Sequence, residues 1–346
     1  KRLVMYKILL LTRGDGRLDL RQTPGGKGLF NGGKYQVFVN EPIDEPDFLV
    51  IRGKALKEKM SFRVARANTL LLTSEPYSVL SYPLSYCKQF GIVCSCQEEL
   101  KLPNVIYTPA MLPWFVGIEF GPKDESHIRL NYEDIKGYLP QKTKLLSVIT
   151  SNKAFTQGHL DRLKFVEKLQ RHYGDQIDVF GRGFNDFADK WDVLSPYMYH
   201  IAIENSSSKY YWTEKLSDCY LANTYPFYYG CRNVNEYFPE KALTVLDIYN
   251  PEQAIELIDK VIENDTFNKR QTELLHCKKL VMEDYNMFNY IVNLCSKLDA
   301  QAPKEKVDLK PASCFFDFHN FYLYTIGRNV FKLKRKFQLH SDSNYQ

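Results

Sequence analysis

From residue 145 onward, short apolar runs alternate with amphipathic stretches, and this alternation limits the fold more than any other feature of the chain. Residues 145–150, 177–180, 199–203, 225–229 and 243–248 read as strands, and 157–173 and 213–222 as helices. A further helix starts after Asn250, which serves as its cap, with Pro251 at the first helical position and Gln253 three residues after the cap. Ile255, Ile258 and Ile262 give that helix one apolar face. Strands separated by helices build a parallel sheet in a doubly wound α/β domain. The first half carries nearly continuous apolar runs at 6–12, 35–39, 48–52, 69–73 and 91–95, the pattern of strands buried on both faces. Two such domains in tandem place a ligand cleft between them, outside the C-terminal edges of the strands.

The joints are also readable. Seven of the 18 glycines fall between Gly14 and Gly33, which predicts a mobile loop leaving the first strand. Residues 121–144 turn polar and suit an interdomain connection; 267–298 read as one long helical stretch and 301–311 as a charged linker. The division expected is 1–140 for an acceptor-binding domain, 141–300 for a donor-binding domain and 301–346 for a linker with an aromatic and basic tail.

With 346 residues, 44% of them hydrophobic and 25% charged, the chain buries a core without disulfides or metals. Mean hydropathy is −0.38 and no apolar run approaches the length of a membrane span. The stretch after Lys1 lacks a small-residue cleavage site and reads as a first strand, not a signal peptide. The eight cysteines show no CxxC pair, so reduced thiols and a cytoplasmic setting are expected; Cys87, Cys94 and Cys96 lack zinc spacing and read as buried thiols. The net charge of +5 is concentrated in the tail, at Arg328, Lys332, Lys334, Arg335 and Lys336, which argues against a nucleic-acid-binding body.

Several chemistries are missing. There is no GxGxxG, GxxxxGK[ST], GxSxG, HExxH or Asp-x-Asp. Pro24-Gly25-Gly26-Lys27-Gly28 shares only composition with a phosphate loop and reads as a flexible lid.

One segment carries a positive signal. Residues 199–216 read as strand, polar loop and helix start, with Thr213 as cap and Glu214 and Lys215 in the first turn. Free backbone N–H groups, the helix dipole and the Lys215 ammonium favour an anion there. The alternative is capping with a surface ion pair, worth about 0–1 kcal/mol.

Glu204-Asn205-Ser206, Tyr211-x-Thr213-Glu214-Lys215, Tyr225-Pro226 and Gly230 together resemble the donor-binding motif of the α-1,3/1,4-fucosyltransferases, glycosyltransferase family 10, in a bacterial type. The resemblance spans 145–248. It implies a GT-B fold of two Rossmann-like domains facing a central cleft. It also implies transfer of L-fucose from GDP-fucose, with inversion, to an N-acetylglucosamine-containing glycan of Lewis type or a surface polysaccharide precursor. On this resemblance Arg162 and Lys215 neutralise the leaving diphosphate, and Asn205 and Tyr211 hold the nucleotide sugar. Glu214 lies against the ribose or the fucose, while Ser151 and Asn152 end the domain's first strand. The turn Gly181-Arg182-Gly183 approaches the nucleotide. The base is Glu75, in a Thr73-Ser74-Glu75-Pro76 context where the family carries Gly and Asn beside the glutamate; Glu119 and the pair Glu98-Glu99 are alternatives. No cofactor is required, and a divalent cation is at most stimulatory. The partners implied are GDP-fucose and an oligosaccharide or lipid-linked acceptor. Other readings keep the fold with a different sugar-nucleotide donor, or with carbohydrate binding alone. The aromatic and basic tail suits peripheral contact with the inner face of the cell membrane, or else its aromatic part packs back across the two domains.

Overall fold

The computed structural model describes residues 5–121, 125–150, 157–327 and 329–330. Eight strands form in the first half: β1 (Tyr6–Leu11), β2 (Leu29–Phe30), β3 (Tyr35–Val39), β4 (Phe48–Arg52), β5 (Met60–Val64), β6 (Thr69–Leu72), β7 (Ile92–Ser95) and β8 (Val105–Tyr107). Seven of them make one sheet in the order β2-β3-β1-β4-β6-β7-β8, parallel except for β2. The apolar runs are continuous because both faces are covered: Ile8 and Leu10 enter one core, and Leu9 the other.

A short antiparallel hairpin, β9 (Ile118–Phe120) and β10 (Ser126–Ile128), lies in the connection. The second sheet comprises β11 (Lys144–Ile149), β12 (Ile177–Phe180), β13 (Tyr197–Ile203), β14 (Tyr225–Tyr229) and β15 (Thr244–Val245), all parallel, in the order β12-β11-β13-β14-β15. The chain leaves β11 in one direction and returns on its other side at β13. That reversal opens a crevice at the C-terminal ends of these two strands, where α/β sheets bind ligands. Helices Gln157–Tyr173 and Glu214–Leu221 pack on this sheet through Phe165, Val166, Leu169, Leu216 and Cys219.

Five expectations are corrected. The glycine-rich segment 14–33 is no mobile loop. It folds as a short helix Gly16–Leu20, two single-turn helices and β2, and it is tied down at two points. The buried Arg21 guanidinium donates to the carbonyls of Trp114 (2.7 Å), Val116 (2.9 Å) and Leu130 (3.0 Å). The Gly25 N–H of the lid-like motif donates to Glu133 Oε1 (2.9 Å), so that loop is anchored to the interdomain segment.

The long helical stretch is broken into Thr266–Lys269, Gln271–Glu283 and Met287–Cys295. Asn286 ends the run and caps the last helix, its Oδ1 accepting from the N–H of Phe288 (2.9 Å) while its Nδ2 donates to the carbonyl of Gln22 (2.8 Å). Packing changes sides at that cap, not at residue 300: Phe288, Ile291, Val292 and Cys295 cover one face of the first sheet. The supposed linker is a strand, β16 (Glu305–Leu309), paired antiparallel with β5; its Val307 and Leu309 sit on the opposite face of the first sheet. The expected strand 243–248 shrinks to β15.

Candidate active site

The two sheets turn their C-terminal strand ends toward each other, and the polar side chains collect there. On the first sheet, Arg52 ends β4 and Glu75 follows β6, whose last residue, Leu72, stands beside Arg52 in the register. Arg52 is largely buried and faces Asp19 (3.5 Å); its Nη1 has no hydrogen-bond partner among the described residues. The loop carrying Glu75 is fixed from below. Gln97 Nε2 donates to the carbonyls of Glu75 (2.7 Å) and Leu80 (2.6 Å), and the Cys96 N–H donates to Thr73 Oγ1 (2.9 Å). Burial lifts the Glu75 carboxyl above the ordinary glutamate range, while Lys215, across the cleft, pulls it back in part.

On the second sheet, Glu204 follows β13 and is only 3% exposed. Its carboxylate accepts from the Thr213 N–H (2.8 Å), from Thr213 Oγ1 (2.9 and 2.8 Å) and from Lys215 Nζ (3.3 Å). The anion expected at this helix N-terminus is therefore internal: Glu204 occupies it. Gly230 makes room for it, since a Cβ there would lie 2.4 Å from Glu204 Cγ and 2.5 Å from Tyr228 Oη.

Lys215 is accordingly not a free cation. It pairs with Glu204 and, at 3.6 Å, with Glu214, which also meets Lys190 at 3.6 Å. Lys190 goes on to Asp218 (3.1 Å), whose other oxygen accepts from the Phe115 N–H (3.2 Å). Burial works against the Glu214 charge, but Lys215 and Lys190 outweigh it and hold the carboxyl at about 2. Burial dominates at Asp218 and raises it to about 6 in spite of Lys190. The same burial is overcome at Lys215, whose ammonium is stabilised by Glu214 and Glu204.

Arg162 stands apart. It is 6% exposed, and its Nη1 donates to Asn205 Oδ1 (3.3 Å) across the mouth of the β11/β13 crevice. Its Nε has no partner among the described residues, and burial lowers its pKa with no acidic group among those residues offsetting it. Among the described residues this buried guanidinium faces only a neutral amide, which makes an incomplete site for an anion.

The remaining expected residues fall as follows. Tyr211 is buried between the domains with Cys96 and Ala110, and Glu204, Glu75 and Glu214 surround its hydroxyl electrostatically. Gly181 follows β12 at φ +113°, where a Cβ would strike the Thr150 carbonyl at 1.8 Å; this explains the glycine, while Arg182 is exposed. Ser151 and Asn152 lie outside the described residues, as do the tail cations Arg328, Lys332, Lys334, Arg335 and Lys336. Glu119 sits on β9 and Glu98 pairs with Arg232, so neither joins the cluster. No group of three or more potential metal ligands occurs among the described residues, and none of their helices is long and apolar enough to cross a membrane.

Sequence reasoning placed Glu204 in the donor-binding motif without a role of its own, and did not single out Arg52, Lys190 or Asp218. A charged residue closing the apolar run 48–52 was the available signal for Arg52. Lys190 lies in an irregular stretch that offers none.

Residues 139–310 match the sequence model of the glycosyltransferase family 10 (fucosyltransferase) C-terminal domain. The chain belongs to glycosyltransferase family 10. Among relatives of this family it is 26% identical over 133 residues to human 4-galactosyl-N-acetylglucosaminide 3-alpha-L-fucosyltransferase 9, covering 37% of this chain and 36% of that protein. It is 35% identical over 77 residues to the Helicobacter pylori alpha-(1,3)-fucosyltransferase FucT, covering 22% of this chain and 16% of that one. The chain thus spans about a third, or less, of the length of these curated relatives. The solved structure of an alpha1,3-fucosyltransferase with GDP superposes with a TM-score of 0.50 at 15% identity, over 86% of this chain and 92% of that one. That likeness and the two facing parallel sheets make the family 10 chain a GT-B fold.

Proposed function

We propose that the chain transfers L-fucose from GDP-fucose, with inversion, to a hydroxyl of a glycan containing N-acetylglucosamine. The observation that carries this reading is that the buried Glu75 carboxyl, at the strand end of the first sheet, lies within the field of Lys215, Glu214 and Glu204, from the family motif on the second. A base and a nucleotide-sugar motif thus face one another across a cleft.

In the proposed step, Glu75 accepts the acceptor proton as the acceptor oxygen bonds to the anomeric carbon. The bond from that carbon to the β-phosphate oxygen breaks, and GDP leaves. A carboxyl raised by burial is a better matched base near neutral pH than an ordinary glutamate. Arg162, buried and without an acidic partner among the described residues, takes the diphosphate; Asn205, its partner, orients it. Glu214 is held ionised, which suits hydroxyls of the ribose or fucose and the positive charge developing on the sugar. Lys215 keeps Glu214 charged and offsets part of the burial that raises the Glu204 carboxyl, instead of meeting the phosphates directly. The acceptor class follows the human relative's name, a galactosyl-N-acetylglucosaminide.

The test is Glu75→Gln. GDP binding, read by calorimetry, should stay within about twofold, while transfer falls by about 100-fold or more. Transfer at a near wild-type rate would remove Glu75 as the base, and product retaining the donor's anomeric configuration would remove the inverting step.

A further inference from the structure

The reaction above leaves a cavity on the first domain unused. We propose that it is the subsite gripping the acceptor glycan beyond the sugar that receives fucose, a claim that rests on the fucosyl-transfer reading. The cavity measures about 720 Å³, and its walls include Tyr77, Tyr82, Gln97, Glu99, Phe318 and His319. It adjoins the base. Tyr77 is two residues from Glu75, and Gln97, one of its walls, is the side chain that donates to the Glu75 carbonyl.

One wall comes from the far end of the chain and is firmly docked. His319 stacks on Tyr77 with ring centroids 4.2 Å apart, and its Nε2 lies 2.9 Å from the Tyr77 carbonyl. Asn320 accepts from the Ser81 N–H (3.1 Å) and donates to the Ser81 carbonyl (2.8 Å); Asp317 accepts from the Ser81 hydroxyl. This anchoring holds Phe316 and Phe318 at 76% and 68% exposure, beside the cavity and not in a core. Large aromatic rings held in water next to a concavity are arranged for a ligand.

The charge of the lining identifies the occupant. Its lining carries two carboxylates, Glu99 and Asp317, and no lysine or arginine among its described residues; Lys54, whose Nζ lies 5.7 Å from the Tyr82 ring centroid, offsets part of the Asp317 charge and leaves the lining acidic on balance. Such a wall repels phosphate and anionic lipid headgroups, but it accepts hydrogen bonds from hydroxyls. A pyranose supplies both kinds of contact: hydroxyls around its rim and a face of C–H bonds to lie on the electron-rich face of an aromatic ring. A neutral oligosaccharide fits; an anionic surface does not.

The experiment uses the full chain with N-acetyllactosamine as the probe acceptor, in Phe318→Ala and Glu99→Gln, with the exposed Phe120→Ala on β9 as comparator. The acceptor KM should rise about tenfold in the first two at an unchanged kcat, and N-acetyllactosamine binding measured calorimetrically with GDP present should weaken equally. Phe120→Ala should change neither. An unchanged KM and affinity in Phe318→Ala and Glu99→Gln would overturn the inference while leaving fucosyl transfer standing. A wild-type chain that turns over no GDP-fucose would refute the transfer reading, and the calorimetric arm would still decide the cavity. Sedimentation with anionic vesicles that Phe318→Ala abolishes, at unchanged sugar affinity, would assign the surface to lipid. A tenfold gain in sugar affinity on truncation after Val330 would assign the cavity to the chain's own tail. Either result overturns the proposal.

Discussion

Replacing Lys215 by methionine tests the reading of that side chain as the counter-ion of two buried carboxylates. The stem volume is kept and the charge removed. Breaking a buried ion pair from one side costs about 3–5 kcal/mol, because the remaining charge has lost its compensation. Here the loss should fall at the low end, about 3 kcal/mol, since Thr213 still donates to Glu204 and Lys190 still faces Glu214. The pH dependence gives the sharper check. In the native chain Glu214 is held at about 2 against 4.5 for a free glutamate, which corresponds to roughly 3 kcal/mol of stability. That contribution is complete above pH 4.5 and is lost as the pH falls toward 2. Without Lys215 both carboxylates protonate at higher pH. The deficit of the variant should therefore be greatest near pH 7.5 and shrink toward pH 5, as Glu204 takes up a proton. Urea unfolding at the two pH values measures it, and Glu204→Gln added to Lys215→Met should recover at least half of the loss at pH 7.5. A deficit below about 0.5 kcal/mol at pH 7.5, or one equal at both pH values, would refute the counter-ion role.

Gly230→Ala drives a methyl group into the space of Glu204 Cγ, 2.4 Å away, and should cost about 1–3 kcal/mol by overpacking; a denaturant midpoint equal to wild type would show that Glu204 can move aside freely. Arg162→Gln removes the unneutralised buried cation and should weaken GDP binding by about tenfold or more by calorimetry; wild-type affinity would place the diphosphate elsewhere.

The architecture was legible where burial is two-sided. Continuous apolar runs such as 48–52 and 225–229 locate strands because both faces meet hydrocarbon, whereas β5, β8 and β16 are short or half-exposed and their alternation is carried by a few residues. Glycine content misled the reading at 14–33: it marks backbone conformation, while the order of that segment comes from Arg21 and Glu133, partners more than a hundred residues away from their targets or close to it. The site was visible as a list of residues but not as a circuit. Glu214 and Lys215 announce charge at a helix start, yet nothing local says that Glu204 already fills the helix N-terminus. Only the fold reveals that Arg162, one cation among many in the sequence, is buried without a counter-charge among the described residues.

The return of the chain to its first sheet has a consequence for synthesis. The helix Met287–Cys295 and β16 supply covers for both faces of the sheet built from the earliest residues. As the polypeptide emerges from the ribosome, the amino-terminal unit has its strands but not its closing layers, and the later unit, complete by Met282, can finish first. The usual vectorial order, in which domains mature from the amino terminus, is reversed. Until Cys295 is out, Ile8, Leu10, Val50 and Leu70 wait with an open face, and until Leu309 is out so do Leu9, Ile51 and Leu71 on the other, which makes the nascent chain dependent on residues 287–309 for protection against aggregation.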